Sequence, residues 1–292
     1  MEAQTATFTE VVNPDAPCPV HPDGRDGGLP EDQRSPRVLR RPPFWRELAT
    51  VVAFYVLYEL TSDLTAGARH SALAHALGEI HLEQALGIFG EQSIQAFFLP
   101  HIRLVQASDL YYATVHFIMP AAVLVWLYWR FPARYRRWRN IMAWLMGVSL
   151  IAFLVDPVMP PRLLPASFHF VDTLKKVGGA GRLDSFLLKE VGDAYAAMPS
   201  LHVAWASWCA AATVPVVRRR WVKVLLILDP IVTTFVVIVT ANHLFLDVVG
   251  GLVALAVGIG LARVPWLALA GAGRRRLVPG AGDHGPAAQE TG

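Results

Sequence analysis

Cysteine is nearly missing from this chain, with two in 292 residues, Cys18 and Cys209. One lies in a polar tail and the other in the middle of an apolar run, so neither a disulfide framework nor a thiolate metal site is expected. Charge is also scarce: 17% of residues are charged against 54% hydrophobic, which is too apolar for an ordinary soluble domain. A net charge of +3 gives no reason to expect a nucleic-acid partner. The N-terminus lacks a basic segment followed by an apolar core, so a cleaved signal peptide is not expected.

What the chain does have is clustered hydrophobicity. Windows near 46–66, 109–129, 140–159, 198–217, 221–239 and 243–264 each approach the roughly 20 residues that cross a bilayer as a helix. The expected fold is all-α: a polytopic membrane protein with a six-transmembrane-helix core plus amphipathic outer-surface helices. The surface helices are placed at 68–99, where apolar residues recur at helical spacing between charges. Residues 1–42 and 267–292 read as disordered cytoplasmic tails around a membrane domain at 43–266.

Arginine is concentrated in every other connection: Arg34, Arg37, Arg40, Arg41 and Arg46; Arg130, Arg134, Arg136, Arg137 and Arg139; Arg218, Arg219, Arg220 with Lys223; Arg274, Arg275 and Arg276. By the positive-inside rule both termini are expected in the cytoplasm of a multi-pass plasma-membrane protein. The connections at 67–108, 160–197 and 240–242 then lie outside. Three distant stretches reach that outer face: "DPVMPPRLLP" with Arg162, "MPSLHVAW" with Ser200 and His202, and "NHLFLDVVGG" with His243 and Asp247.

Imidazoles and carboxylates are costly in a bilayer, so a set of them on one face points to chemistry. Pro199 suits the first helical position, which puts Ser200 and His202 in the opening turn of the fourth span. Asn242 is a good N-cap for the sixth span, placing His243 at its start. Two helix N-termini and the planar fork of Arg162 would form a cradle for a phosphate. His243 and Asp247 are four residues apart and share a helical face. A carboxylate on one ring nitrogen leaves the other as a nucleophile or base, and His202 could protonate a leaving oxygen. This is what in-line phosphoryl transfer needs when no metal or cofactor takes part.

The motif "PSLH", followed some forty residues later by "HLFLD", resembles the second and third signatures of the type 2 phosphatidic acid phosphatase superfamily. "MPSLHVAW", "PPRLLP" and the helical segment before the second span are similar to its inositol phosphorylceramide synthase-like, inositolphosphotransferase branch, over roughly 45–264. The resemblance implies a six-helix core, a phosphohistidine intermediate and no metal. It also implies roles: His243 as nucleophile, Asp247 as its orienting partner, His202 as acid, and Ser200 and Arg162 as phosphate ligands. The chain departs from the first signature, with Val155 at the lysine position and Leu163 after Arg162. It departs from the third with Val236 and Val237 where Ser-Arg is usual. Lys175, Lys176 or Arg182 are candidates to supply the missing cations.

Plainer roles exist for several of these residues. Ser200 can cap a helix, Arg162 can snorkel to the interface, and His116 can make a packing hydrogen bond. Asp229-Pro230 reads as a kink with a paired carboxyl. Glu59, Asp63 and Asp156 read as solvated or paired. His70, His75 and His81 do not share a metal-ligand spacing. Trp126, Trp129, Trp138, Tyr111 and Tyr112 read as interfacial belts. The expected function is an integral membrane phosphatase or phosphotransferase on a lipid phosphate, with an alcohol such as inositol as a possible acceptor. One alternative is a rhomboid-like intramembrane serine protease, although Ser200 lacks flanking glycines. The other is a non-catalytic transporter or haem-binding module using His116 and His243.

Overall fold

The computed structural model describes residues 42–65, 67–176 and 195–264. The expected tails, apart from Pro42, therefore lie outside the described residues, as does Arg182. Among the described residues nine α-helices follow one another: α1 Phe44–Thr65, α2 Arg69–Leu86, α3 Glu91–Phe98, α4 Ile102–Arg130, α5 Pro132–Val155, α6 Thr173–Lys176, α7 Leu201–Thr213, α8 Arg220–Val239 and α9 Phe245–Leu261. Among the described residues there is no strand, only a single bridge between Val158 and Ala196. The class is all-α.

Each of the six apolar windows holds a helix. Four of them, α1, α4, α5 and α8, are long and apolar enough to cross a membrane. The other two are shorter, with 13 residues in α7 and 17 in α9. The outer surfaces of α1, α4, α5, α8 and α9 are greasy where a soluble protein would be polar: Val51, Leu60, Ile118, Val125, Ile151, Leu225, Ile231 and Val253 all stand exposed. An apolar surface that continuous is suited to lipid. Inside lipid the helix is the form in which every backbone group bonds within its own segment.

Proline marks the breaks. Phe131 leaves helical geometry (φ −140°, ψ 69°) because Pro132 follows it, and Pro132 starts α5. Asp156 does the same ahead of Pro157 and ends α5. The chain then makes a short 3-10 turn at Pro161–Leu163, which carries Arg162. Glycine brings helices together. Gly258 of α9 lies so near α5 that an added Cβ would sit 3.1 Å from the Leu145 nitrogen, the close backbone approach that small residues allow in membranes.

The two ends of the bundle differ in chemistry. At one end, Arg139 pairs with Glu47 at 2.5 Å, and Tyr135 donates to the same carboxyl at 2.6 Å. There too Arg134 Nε donates to the last carbonyls of α7, at Ala212. The other end gathers the C-terminus of α5, the N-termini of α7 and α9, and helices α2 and α3. The arginine-rich connection and the histidines are thus separated by the length of α5, about 36 Å at 1.5 Å per residue.

Helices α2 and α3 overturn part of the expectation for 68–99. A surface helix should turn its charges to water, yet Glu83, Glu91 and Gln95 have no exposed surface at all. Gln95 donates to the Val171 and Val239 carbonyls and accepts from the Val171 nitrogen. Polar side chains form part of the inward stripe because they satisfy backbone groups of neighbouring segments.

Candidate active site

The turn between α8 and α9 is where the candidate site begins. Ala241 takes a left-handed conformation (φ 52°), and the Asn242 nitrogen turns back to the Val237 carbonyl at 2.9 Å. His243 therefore leaves from a turn, and α9 starts only at Phe245 with Leu244 as its N-cap. Asn242 is not the cap that its residue type suggests. Its Oδ1 instead accepts from Arg162 Nε at 2.8 Å, and its Nδ2 donates to Thr240 Oγ1 at 2.8 Å. The Arg162 nitrogen also donates to the Ala241 carbonyl at 2.8 Å. Arg162 is thereby fixed to the residue preceding His243, with 7% of its surface exposed.

His243 and Asp247 do meet. His243 Nδ1 lies 3.3 Å from Asp247 Oδ2, and that oxygen also accepts from the Leu244 nitrogen at 2.8 Å. The second contact is half of a capping box, in which a residue at the third helical position satisfies the backbone of the cap. Asp247 thus orients the ring and starts the helix with one oxygen. A carboxylate accepts, so Nδ1 carries the proton and the Nε2 lone pair faces outward. Facing it, His202 Nδ1 stands 3.4 Å from His243 Nε2.

Helix α7 brings His202 in. Pro199 is not its first residue: it precedes Ser200, which is the N-cap, and the helix opens at Leu201. The Ser200 nitrogen donates across to the Asp247 carbonyl at 2.9 Å. Gly251, one turn after Asp247, makes this docking possible, since a Cβ there would overlap the Ser200 carbonyl oxygen. Ser200 is fully buried, and its Oγ has no hydrogen-bond partner among the described residues. The His202 ring stacks on Tyr112 at 4.3 Å and touches His116 at 4.0 Å between centroids. His116 Nδ1 donates to the Tyr112 carbonyl at 2.6 Å, the packing bond expected of it. Tyr112 is thus part of the site wall and not of an interfacial belt. Tyr111 also faces inward, donating to Asp229 Oδ1 at 2.5 Å, which supplies the partner expected for that carboxyl.

The phosphate cradle at the start of α9 does not survive. Its leading N–H groups are already taken: Leu244 by Asp247, Phe245 by Glu91 Oε1 at 2.8 Å, and Leu246 by Glu83 Oε1 at 2.7 Å. Residue type suggested free donors there, but carboxyls from α2 and α3 fill the positive end of the helix dipole. Burial, followed by the hydrogen bond to Glu91, raises the Glu83 carboxyl to about 8. Glutamates spaced four apart, as Glu79 and Glu83 are, share a helical face, and that spacing was the only sequence signal for this arrangement.

The expected additional cations fare unequally. Lys175 Nζ is 3.3 Å from Asp172 Oδ2, and Arg162 Nη1 is 3.7 Å from the same oxygen. Lys175 is therefore at the rim of the Arg162 environment. Lys176 is exposed on α6. No group of His, Cys, Asp and Glu suited to a metal occurs among the described residues.

The family model of the PAP2 superfamily matches residues 79–261, the stretch that carries every residue of this site. The chain belongs to the PAP2 superfamily. No curated protein and no solved structure matches it. Membership brings an enzyme of the membrane lipid phosphatase and phosphotransferase class, in keeping with the four apolar helices.

Proposed function

We propose that this PAP2 superfamily member transfers the phosphoryl group of a lipid phosphate through a phosphohistidine on His243 Nε2. The observation that carries the reading is one imidazole held from both sides: Asp247 at Nδ1 and His202 at Nε2. An orienting carboxylate, a nucleophilic nitrogen and a second imidazole within reach form the set that covalent phosphoryl transfer requires.

A phosphate entering the site displaces the contact between the two rings. The His243 Nε2 lone pair attacks phosphorus as the bond from phosphorus to the lipid oxygen breaks, and protonated His202 gives its proton to that oxygen. Asp247 stabilises the Nδ1–H of the phosphorylated ring. Water or an alcohol then attacks phosphorus, the P–N bond breaks, and His202 recovers a proton from the incoming hydroxyl. No metal or cofactor enters this scheme. Arg162 and the Ser200 hydroxyl are assigned to the equatorial oxygens, with Lys175 at the rim; Lys176 is a weaker candidate on the exposed side of α6.

Helices α7 and α9 are proposed to complete six crossings, with the site at the extracytoplasmic face and both termini in the cytoplasm. The separation of the histidine end from the arginine-rich end supports that orientation. At 13 residues α7 spans only about 20 Å, so a site at its N-terminus lies within reach of a headgroup whose tails remain in lipid. The inositolphosphotransferase activity, with myo-inositol as acceptor, is the specific form of the proposal. A serine protease is disfavoured because Ser200 Oγ makes no hydrogen bond to either histidine, while the histidines engage each other.

The test is incubation of purified protein with radiolabelled lipid phosphates, with and without myo-inositol, beside His243→Ala. Released phosphate denotes a phosphatase and a labelled inositol lipid a transferase. Unchanged turnover in the variant refutes the assigned nucleophile.

A further inference from the structure

Asp247 has two oxygens, and His243 and Leu244 use only Oδ2. Oδ1 is buried away from both of them. Glu79 approaches the Asp247 carboxyl from α2. One turn later on the same helix, Glu83 accepts from the Leu246 nitrogen at 2.7 Å, which sets the register of α2 against the first turn of α9. In that register the Glu79 carboxyl faces Asp247, and Glu79 Oε2 and Asp247 Oδ1 are both buried without a hydrogen-bond partner among the described residues. Two buried carboxyls that face each other are not both ionised, and a proton held by one of them would supply the donor that the pair lacks.

We infer that Glu79 is a positioning residue for His243, holding the proton that it shares with Asp247 Oδ1 and so keeping Oδ2 as an acceptor for the ring. This rests on the phosphoryl-transfer reading of the site. The surroundings decide which carboxyl keeps the proton. Burial first, then the Asp247 charge, pushes Glu79 up to about 10. Asp156 at the end of α5 and Glu83 on its own helix add negative charge on the same side. His75 lies against Asp156 at 2.6 Å, Glu91 against Glu83, and His243 on the far side of Asp247. Asp247 already accepts from the Leu244 nitrogen and meets the His243 ring, whereas Glu79 Oε2 meets no donor, so Glu79 is the donor of the pair and Asp247 the acceptor. Asp247 is then held by three donors: the Leu244 nitrogen, the His243 ring and the Glu79 hydroxyl. With its orientation fixed, the His243 tautomer is fixed too. Glu79 does not touch the substrate in this scheme.

The test compares Glu79→Gln with Glu79→Ala in full-length protein. Gln offers an N–H at the position of the shared proton, while Ala removes the donor. The expected result is a kcat/KM against pH profile for Glu79→Gln that overlays the wild type. For Glu79→Ala the acid limb should move up by about one unit, which lowers activity roughly tenfold at pH values below the limb. The inference is overturned if the two variants share one profile, or if Glu79→Ala keeps the wild-type limb. Limb position is independent of the amount of folded enzyme, so a partly unfolded variant does not imitate the effect. Should the wild type transfer no phosphate, the functional reading fails, and infrared difference spectra still decide the proton. A protonated-carboxyl C=O band at neutral pH that disappears in Glu79→Gln supports the inference, and identical spectra overturn it.

Discussion

Gly251→Ala separates two physical effects of opposite sign. In the interior of a helix, replacing Gly with Ala should stabilise by about 0.5–1 kcal/mol, because Gly loses more backbone freedom on folding. At Gly251 the new methyl overlaps the Ser200 carbonyl oxygen and lies 3.3 Å from its carbon. These are backbone atoms, which cannot rotate aside. Restoring an ordinary contact of about 3.5 Å requires α7 and α9 to part by roughly 1 Å. The bond from the Ser200 nitrogen to the Asp247 carbonyl, now 2.9 Å, would not survive that shift. Its loss costs about 0.5–1.5 kcal/mol, and overpacking costs about 1–3 kcal/mol. The steric side wins, and net destabilisation of about 1–3 kcal/mol is expected.

The catalytic effect should be larger than the stability effect. His202 follows Ser200 by two residues, so a 1 Å retreat of α7 carries its ring away from His243. A misplacement of about 1 Å costs on the order of 10²-fold in rate. Melting in detergent and phosphate release measure the two effects. Gly260→Ala, with nothing within 4 Å, should melt at or above the wild type, and Gly250→Ala meets the flexible Met198 side chain, nearest at 3.3 Å, and Pro199 Cβ at an ordinary 3.5 Å. A Gly251→Ala protein as stable and as active as Gly260→Ala would refute the account of how the two helices are docked.

Asp247→Asn keeps an acceptor for the Leu244 nitrogen but presents an amide to the His243 ring. It should fold and lose about 10³–10⁴ in kcat, as judged by single-turnover rates, in line with triad aspartates elsewhere; a loss below tenfold would contradict the orienting role. Arg162→Lys retains charge but lacks the fork that joins Nε to Asn242 Oδ1. KM should rise about tenfold or more, and vanadate inhibition should weaken in step; unchanged vanadate binding would remove Arg162 from the phosphate. Stability should fall as pH rises. Burial holds Glu83 up to about 8 and Glu79 up to about 10 from an unfolded value of 4.5. The fold therefore retains protons that the unfolded chain has released. Its stability is full below the unfolded value and drains as pH climbs through the folded values. Melting temperature should drop between about pH 6 and pH 9, less steeply in Glu83→Gln; a flat profile in the wild type would refute the buried protonated pair.

Which parts of the site were legible follows from where each contact originates. His202, His243, Asp247 and Arg162 could be read because polar residues in apolar runs stand out, and because alternating arginine-rich connections assign all four to one face. The i,i+4 pairing of His243 with Asp247 was reached through the wrong local geometry. A helix from Asn242 predicts it, yet the actual turn through Ala241 and Asn242 delivers the same contact, because Asp247 reaches back to cap the helix at Leu244. Asn242 could equally be a cap or a ligand for Arg162, and only the 3-10 turn at Pro161–Leu163 chooses between them. The carboxyls of α2 and α3 were the least legible. A segment with glutamates at helical spacing has the same pattern whether those glutamates face water or the end of another helix. Burial of such groups becomes tolerable only when long-range partners exist, here the nitrogens of Phe245 and Leu246 more than 150 residues away in the chain. The candidate nucleophile His243 is therefore supported by a layer of acids whose positions are set by tertiary register, and that is the layer in which single-residue patterns carry the least information.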